Sequence, residues 1–211
     1  MREQALLAFY VAAVVLLLWA GLAAVARRWV PGGASCRVRL LLGFAAAGLA
    51  FVPLAGVPLW VRAFSFHSNP SLPLLGLGVV AWGRVVLDRD WFGREDWAAV
   101  WGFGAVAGTV LYVHPLVATT VDVYFWGWER GVAACVLGAL AVLALEGGLR
   151  AGLLLVAALA ALGLEALESR NAWDYVIDPF YWLLSLGMLG AILLRSVRRR
   201  RTSGAAVAGL P

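Results

Sequence analysis

The stretch ESRNAWDYVIDPFYWL, residues 168–183, gathers the side chains of this chain best equipped for chemistry. Glu168 can carry a proton or hold a cation, and Arg170 can grip a phosphate through its planar fork. Asn171, Trp173 and Asp174 can recognise a ligand through hydrogen bonds and one flat apolar face. Glu165 lies three residues before Glu168, so a helix running through both puts them on one face. Two carboxylates that close would bind a cation or share a proton, raising one pKa. The competing reading is a local ion pair between Glu168 and Arg170. Trp173-Asp174-Tyr175 does not read as a plain turn, because turns draw on Gly, Pro, Asn and Ser. Asp178-Pro179 does read structurally: Asp accepts from the free amides of a first helical turn, and Pro there loses no hydrogen bond.

Two further segments supply versatile groups. VRAFSFHSNP, residues 61–70, holds Arg62, His67 and Asn69, and TTVDVYFWGWER, residues 119–130, holds Asp122. His67 or Glu168 would serve as general acid or base, with Arg62 or Arg170 holding a phosphate. His114 precedes Pro115; an ionisable group at membrane depth is either functional or a neutral ring bonded to a carbonyl that Pro115 frees. Cys135 falls at a similar depth, where an inert buried thiol competes with a Cys–His nucleophile pair. Asp88-Arg89-Asp90 has the D-x-D spacing of metal and sugar-nucleotide sites, but its nearly charge-balanced loop reads as solvated. In the same loop Asp96 reads as a helix N-cap.

H-E-x-x-H, G-x-S-x-G, P-loop and zinc-type cysteine patterns are absent, so no cofactor and no metal is expected. The two cysteines, Cys36 and Cys135, suggest no disulfide framework.

These groups need elements to hold them, and composition says what those are. Hydrophobic residues make up 63% of the 211 and charged ones only 14%, with a mean hydropathy of +0.87. Soluble domains are about half apolar and a quarter charged, so lipid is the expected solvent. All 17 basic residues are arginine, and Ala, Gly, Leu and Val abound. That composition fits a GC-rich, bacterial coding genome.

The expected fold is all-α, a polytopic bundle of seven membrane spans over 5–26, 40–60, 71–87, 97–118, 131–145, 151–167 and 179–194. Pro53 and Pro58 should kink the second, and Gly104 and Gly108 form a G-x-x-x-G step for close helix packing. A basic tail over 195–211 is expected to be unstructured. With the N-terminus outside and the C-terminus cytoplasmic, inner segments hold thirteen arginines and outer ones four, as the positive-inside rule requires. Cleavage of the first span after Ala24-Val25-Ala26 would put the 27–39 cluster and the tail outside, against that rule. Arginines at span ends explain the basic balance without nucleic acid. The tail is suited to anionic lipid heads.

This threading places both histidines, both asparagines and seven of twelve acids on the extracytoplasmic face. No span carries a charge near its middle, which argues against a small-solute transporter. Two readings lead, and small-solute transport stays third. One is a non-catalytic inner-membrane subunit whose outer acidic and aromatic loops bind an envelope partner or a lipid-linked molecule. The other is an interfacial enzyme acting on a lipid head group or lipid-linked glycan.

Overall fold

The computed structural model describes residues 2–29, 35–67, 69–117 and 122–208. The chain is all-α, 77% helical, with one two-stranded hairpin among the described residues. The helix α1 (Arg2–Trp29) is apolar almost throughout and ends on Arg27 and Arg28, cations that suit the negative end of a helix dipole. Ser35 caps α2 (Cys36–Ala50), its hydroxyl accepting from the Val38 amide at 3.3 Å.

The second apolar stretch departs from the expected continuous helix over 40–60. Helix α2 stops at Ala50, and residues 53–58 fold into an antiparallel hairpin of β1 (Pro53–Leu54) and β2 (Val57–Pro58). Two prolines without amide hydrogens discourage a continuing ladder. Ala55 and Gly56 then reverse the chain with φ of 50° and 79°. A separate short helix, α3 (Leu59–Phe66), follows.

Ser71 caps α4 (Leu72–Val86), with Pro73 in its first turn. Gly93, not Asp96, is the N-cap of α5 (Arg94–Tyr112). Asp96 sits in the first turn and reaches back to accept from the Gly93 amide at 2.9 Å. Its other oxygen accepts from the Ala151 amide at 2.9 Å. From the first turn this buried carboxylate joins two loops.

The single turn α6 (His114–Val117) leads toward α7 (Arg130–Glu146) and α8 (Gly152–Gly163). The sixth stretch was expected to stay helical through residue 167, but α8 ends at Gly163 and Glu165 takes a φ of 49°. A left-handed residue just past the last turn is a common way to stop a helix, and here Glu165 takes the place glycine usually fills. After α9 (Ala172–Val176), α10 (Pro179–Ala208) continues through the basic segment expected to be unstructured. Arginine is a good helix former, and no proline interrupts the run.

Helix α1 packs on α2 and α4, α4 on α8, α8 on α7, and α5 on α10. Two cores result. Leu137, Leu155, Leu167 and Tyr175 anchor one; Trp101, Leu77, Ile177 and Tyr181 anchor the other. Among the described residues, Leu7–Trp29 and Pro179–Ser196 are long and apolar enough to cross a membrane; Leu72–Val86, Gly131–Glu146 and Gly152–Gly163 are shorter apolar helices.

The loops gather at two ends. At the arginine end, Arg27 pairs with Asp88 and donates to the Arg84 carbonyl at 2.9 Å. Arg84 pairs with Asp90 at 3.0 Å, and Arg150 donates to the Trp91 carbonyl at 2.9 Å. Both acids of Asp88-Arg89-Asp90 are thus neutralised by local arginines. Residues 69–71, 122–127 and 167–178 meet at the opposite end.

Candidate functional site

At that opposite end, 171–178 is not an exposed loop but a largely buried tie. Asn171, fully buried, caps α9 by accepting from the Trp173 amide at 3.0 Å. Its amide nitrogen donates to the Tyr124 carbonyl at 3.0 Å. The Trp173 indole donates to the Val123 carbonyl at 3.0 Å. Asp174 accepts from the Tyr124 hydroxyl at 3.0 and 3.1 Å and from Ser169. Partial burial, then the charge of Asp174 and the hydrogen bond to it, push the Tyr124 hydroxyl up to about 12, so it remains a donor at neutral pH. The Tyr175 hydroxyl donates to the Ser169 carbonyl at 3.1 Å and accepts from the Leu167 amide at 3.2 Å.

Gly127 makes this close approach possible. A Cβ there would stand 1.8 Å from the Asn171 side-chain oxygen and 2.5 Å from the Trp173 ring. Gly127→Ala should therefore lower stability by about 1–3 kcal/mol and loosen the 123–127 contact with α9. Thermal unfolding in detergent, with Trp fluorescence as readout, tests this; an unchanged midpoint would mean that the tie is not held there.

Asp178 is the second centre, and it is 3% exposed. One oxygen caps α10, accepting from the Phe180 amide at 2.8 Å and the Tyr181 amide at 3.0 Å. The other accepts from the Ser71 amide at 2.9 Å and the Ser71 hydroxyl at 2.5 Å. Ser71 itself caps α4. One carboxylate thus serves the starts of two helices, where both dipoles favour negative charge. Burial alone would raise the Asp178 carboxyl; the His67 ring, Ser71 and the Tyr181 amide together outweigh it and hold the group below the usual aspartate range. His67 Nε2 lies 3.4 Å from Asp178 Oδ1, without the alignment of a hydrogen bond.

The sequence-proposed residues therefore divide. Asn171, Trp173 and Asp174 come together with Tyr124, while His67 comes together with Asp178 and Ser71. Asn69 is half-buried between His67 and Ser71 in the chain. Arg62 is spent on the hairpin, donating to the Leu54 carbonyl at 2.8 and 2.6 Å. Asp122 accepts from the Phe125 amide at 3.2 Å in an exposed turn. Glu165 and Glu168 lie beyond the end of α8 and share no helical turn. Glu168 and Arg170 are exposed and form no ion pair with each other among the described residues. The His114 side chain lies outside the described residues. Cys135 is a free thiol on an exposed face of α7.

Sequence reasoning missed Ser71, Ser169, Tyr10 and Tyr124. Ser71 carried a signal, since Ser-x-Pro is a helix-start pattern parallel to Asp178-Pro179. Among the described residues, no group of three or more His, Cys, Asp or Glu could hold a metal. Against protein-family models, curated proteins and solved structures, the chain has no match.

Proposed function

We propose that this chain is a seven-span protein of the bacterial inner membrane, N-terminus outside and C-terminus cytoplasmic. It acts by binding an envelope partner or a lipid-linked molecule at its extracytoplasmic end. The threading is supported by which loops meet: Arg27, Asp88, Trp91 and Arg150 from three inner segments converge, and so do Ser71, Tyr124 and Asp178 from three outer ones. It is also supported by outward apolar side chains such as Phe44, Leu143 and Leu193, exposed by 76%, 68% and 65%. Anionic lipid heads at the arginines of the cytoplasmic end complete this reading.

The observation that carries binding over catalysis is how the outer polar groups are used. Asn171, Asp174 and Asp178 are committed to backbone, Tyr and Ser partners that hold elements together. Arg62 is committed to a carbonyl. What that end presents outward is aromatic and charged: Phe125, Trp126 and Trp128 are 57%, 47% and 53% exposed, beside the exposed Asp122, Glu168 and Arg170. Purification in mild detergent tests the reading. A stoichiometric protein or lipid should accompany the chain, and a bare monomer would count against it.

One contact favours the alternative, an interfacial enzyme acting on a lipid head group or lipid-linked glycan. His67 Nε2 faces the Asp178 carboxylate at 3.4 Å, the pairing that orients a general base. That reading predicts loss of turnover in His67→Gln with the fold intact.

A further inference from the structure

An apolar cavity of about 340 Å³ lies among α1, α3, α4 and α10, within the roughly 300–1,000 Å³ range of small-molecule sites. Its walls include Ala13, Leu17, Phe64, Leu75 and Phe180, and its polar residues are Tyr10 and His67. Tyr10 is only 5% exposed, and among the described residues neither its hydroxyl nor His67 Nε2, which lies 3.4 Å from Asp178 but out of line with it, has a hydrogen-bond partner. A buried polar group left unpaired is costly, so two lining one cavity call for a ligand atom. Water is a poor answer, because a buried water needs two to four polar partners and apolar cavities stay dry.

Both groups are donors. The tyrosine carries O–H, and the imidazole nitrogen facing a carboxylate that can only accept carries N–H. The missing atom is therefore an acceptor. A phosphate is disfavoured: buried, ionised Asp178 lies 3.4 Å from the same nitrogen, and Arg62 is turned to the Leu54 carbonyl. An uncharged carbonyl meets no such repulsion. The cavity follows α1 from Tyr10 to Leu17, about 10 Å along the helix. Leu17, Phe66 and Phe180 are 44%, 79% and 41% exposed, so it opens sideways to the lipid that the proposed threading places there.

We infer that this cavity holds one acyl chain of an ester-linked membrane lipid, with the ester carbonyl accepting from Tyr10 and His67 and the chain running down α1 toward Leu17. The inference rests on the membrane reading and names the lipid class that its outer end binds.

The probes are dioleoyl phosphatidylcholine and its diether analogue, which differ only in the two ester carbonyls, one of them the proposed acceptor. Native mass spectrometry of the detergent-purified chain should show the diester retained about fivefold over the diether, the worth of one ordinary hydrogen bond. Tyr10→Phe keeps the ring and removes the donor, so the preference should fall toward parity with no loss of thermal stability. Ala13→Leu should displace both lipids. Equal retention of diester and diether by the wild type, or an undiminished preference in Tyr10→Phe, overturns the assignment. Those results would leave the membrane reading intact; release of the chain from membranes by alkaline carbonate would instead defeat the membrane reading itself.

Discussion

Asp178→Ala should destabilise the chain by about 3 kcal/mol, combining a lost helix cap of about 0.5–2 kcal/mol with charge-assisted bonds to Ser71 of about 1.5–3 kcal/mol. The size of the effect follows from the double duty of the carboxylate. Its removal leaves the Ser71, Phe180 and Tyr181 amides without their partner at a buried site. Asp178→Asn should cost less but not nothing. Its oxygen can still cap α10, while its amide nitrogen meets another donor at the Ser71 amide. Unfolding followed by circular dichroism in one detergent ranks the three proteins. An alanine variant as stable as the wild type would mean that the two helix starts are held by packing alone.

Acid should reproduce part of that loss. The folded chain holds the Asp178 carboxyl below its ordinary value, so its ionised form favours folding. That contribution is fully present above the unfolded value of about 3.9, and it disappears as the pH falls through the lower folded value. The gap in midpoint between wild type and Asp178→Asn should therefore be constant near neutrality and close below about pH 4. A gap unchanged in acid would show that charge is not what Asp178 contributes.

The local signs of these features were in the chain, and their partners were not. Asp178-Pro179 and Ser71-x-Pro73 each announce a helix start through residue type alone. That the two starts lie side by side depends on α4 and α10 packing across a separation of 107 positions, which no local pattern encodes. Trp173-Asp174-Tyr175 stood out correctly as more than a turn. Its direction was misread, because aromatic and acidic residues at a helix-bundle end suit either an outward surface or an inward tie. Only the Tyr124 hydroxyl and the Val123 carbonyl decide that they point inward. All seven apolar stretches contain a helix, yet three run short, at Ala50, at Tyr112 and at Gly163. Apolar runs report a preference for lipid or core over water; they do not report where prolines or a left-handed turn end the helix. The expected Glu165–Glu168 pairing failed for that reason.

The G-x-x-x-G step could be read in advance, and its consequence can be made quantitative. A Cβ on Gly104 would stand 2.2 Å from the Ser185 hydroxyl and 2.8 Å from the Tyr181 ring, and one on Gly108 would stand 2.4 Å from the Trp182 ring. These neighbours cannot easily give way. The Tyr181 hydroxyl donates to the Val100 carbonyl at 2.7 Å, and Ser185 donates to the Tyr181 carbonyl at 2.7 Å. Gly104→Ala and Gly108→Ala should each cost about 1–3 kcal/mol by overpacking, although alanine favours a helix by about 1 kcal/mol. Gly102, on the same helix, has nothing within 4 Å of its would-be Cβ, so Gly102→Ala should stabilise by about 0.5–1 kcal/mol. Opposite signs two residues apart isolate packing from propensity; equal shifts at positions 102 and 104 would refute the close contact of α5 with α10. Because the Tyr181 amide is also bonded to Asp178, moving Tyr181 should disturb the carboxylate that faces His67. Gly104→Ala should therefore weaken the ester-lipid preference as well as stability, while Gly102→Ala leaves that preference unchanged.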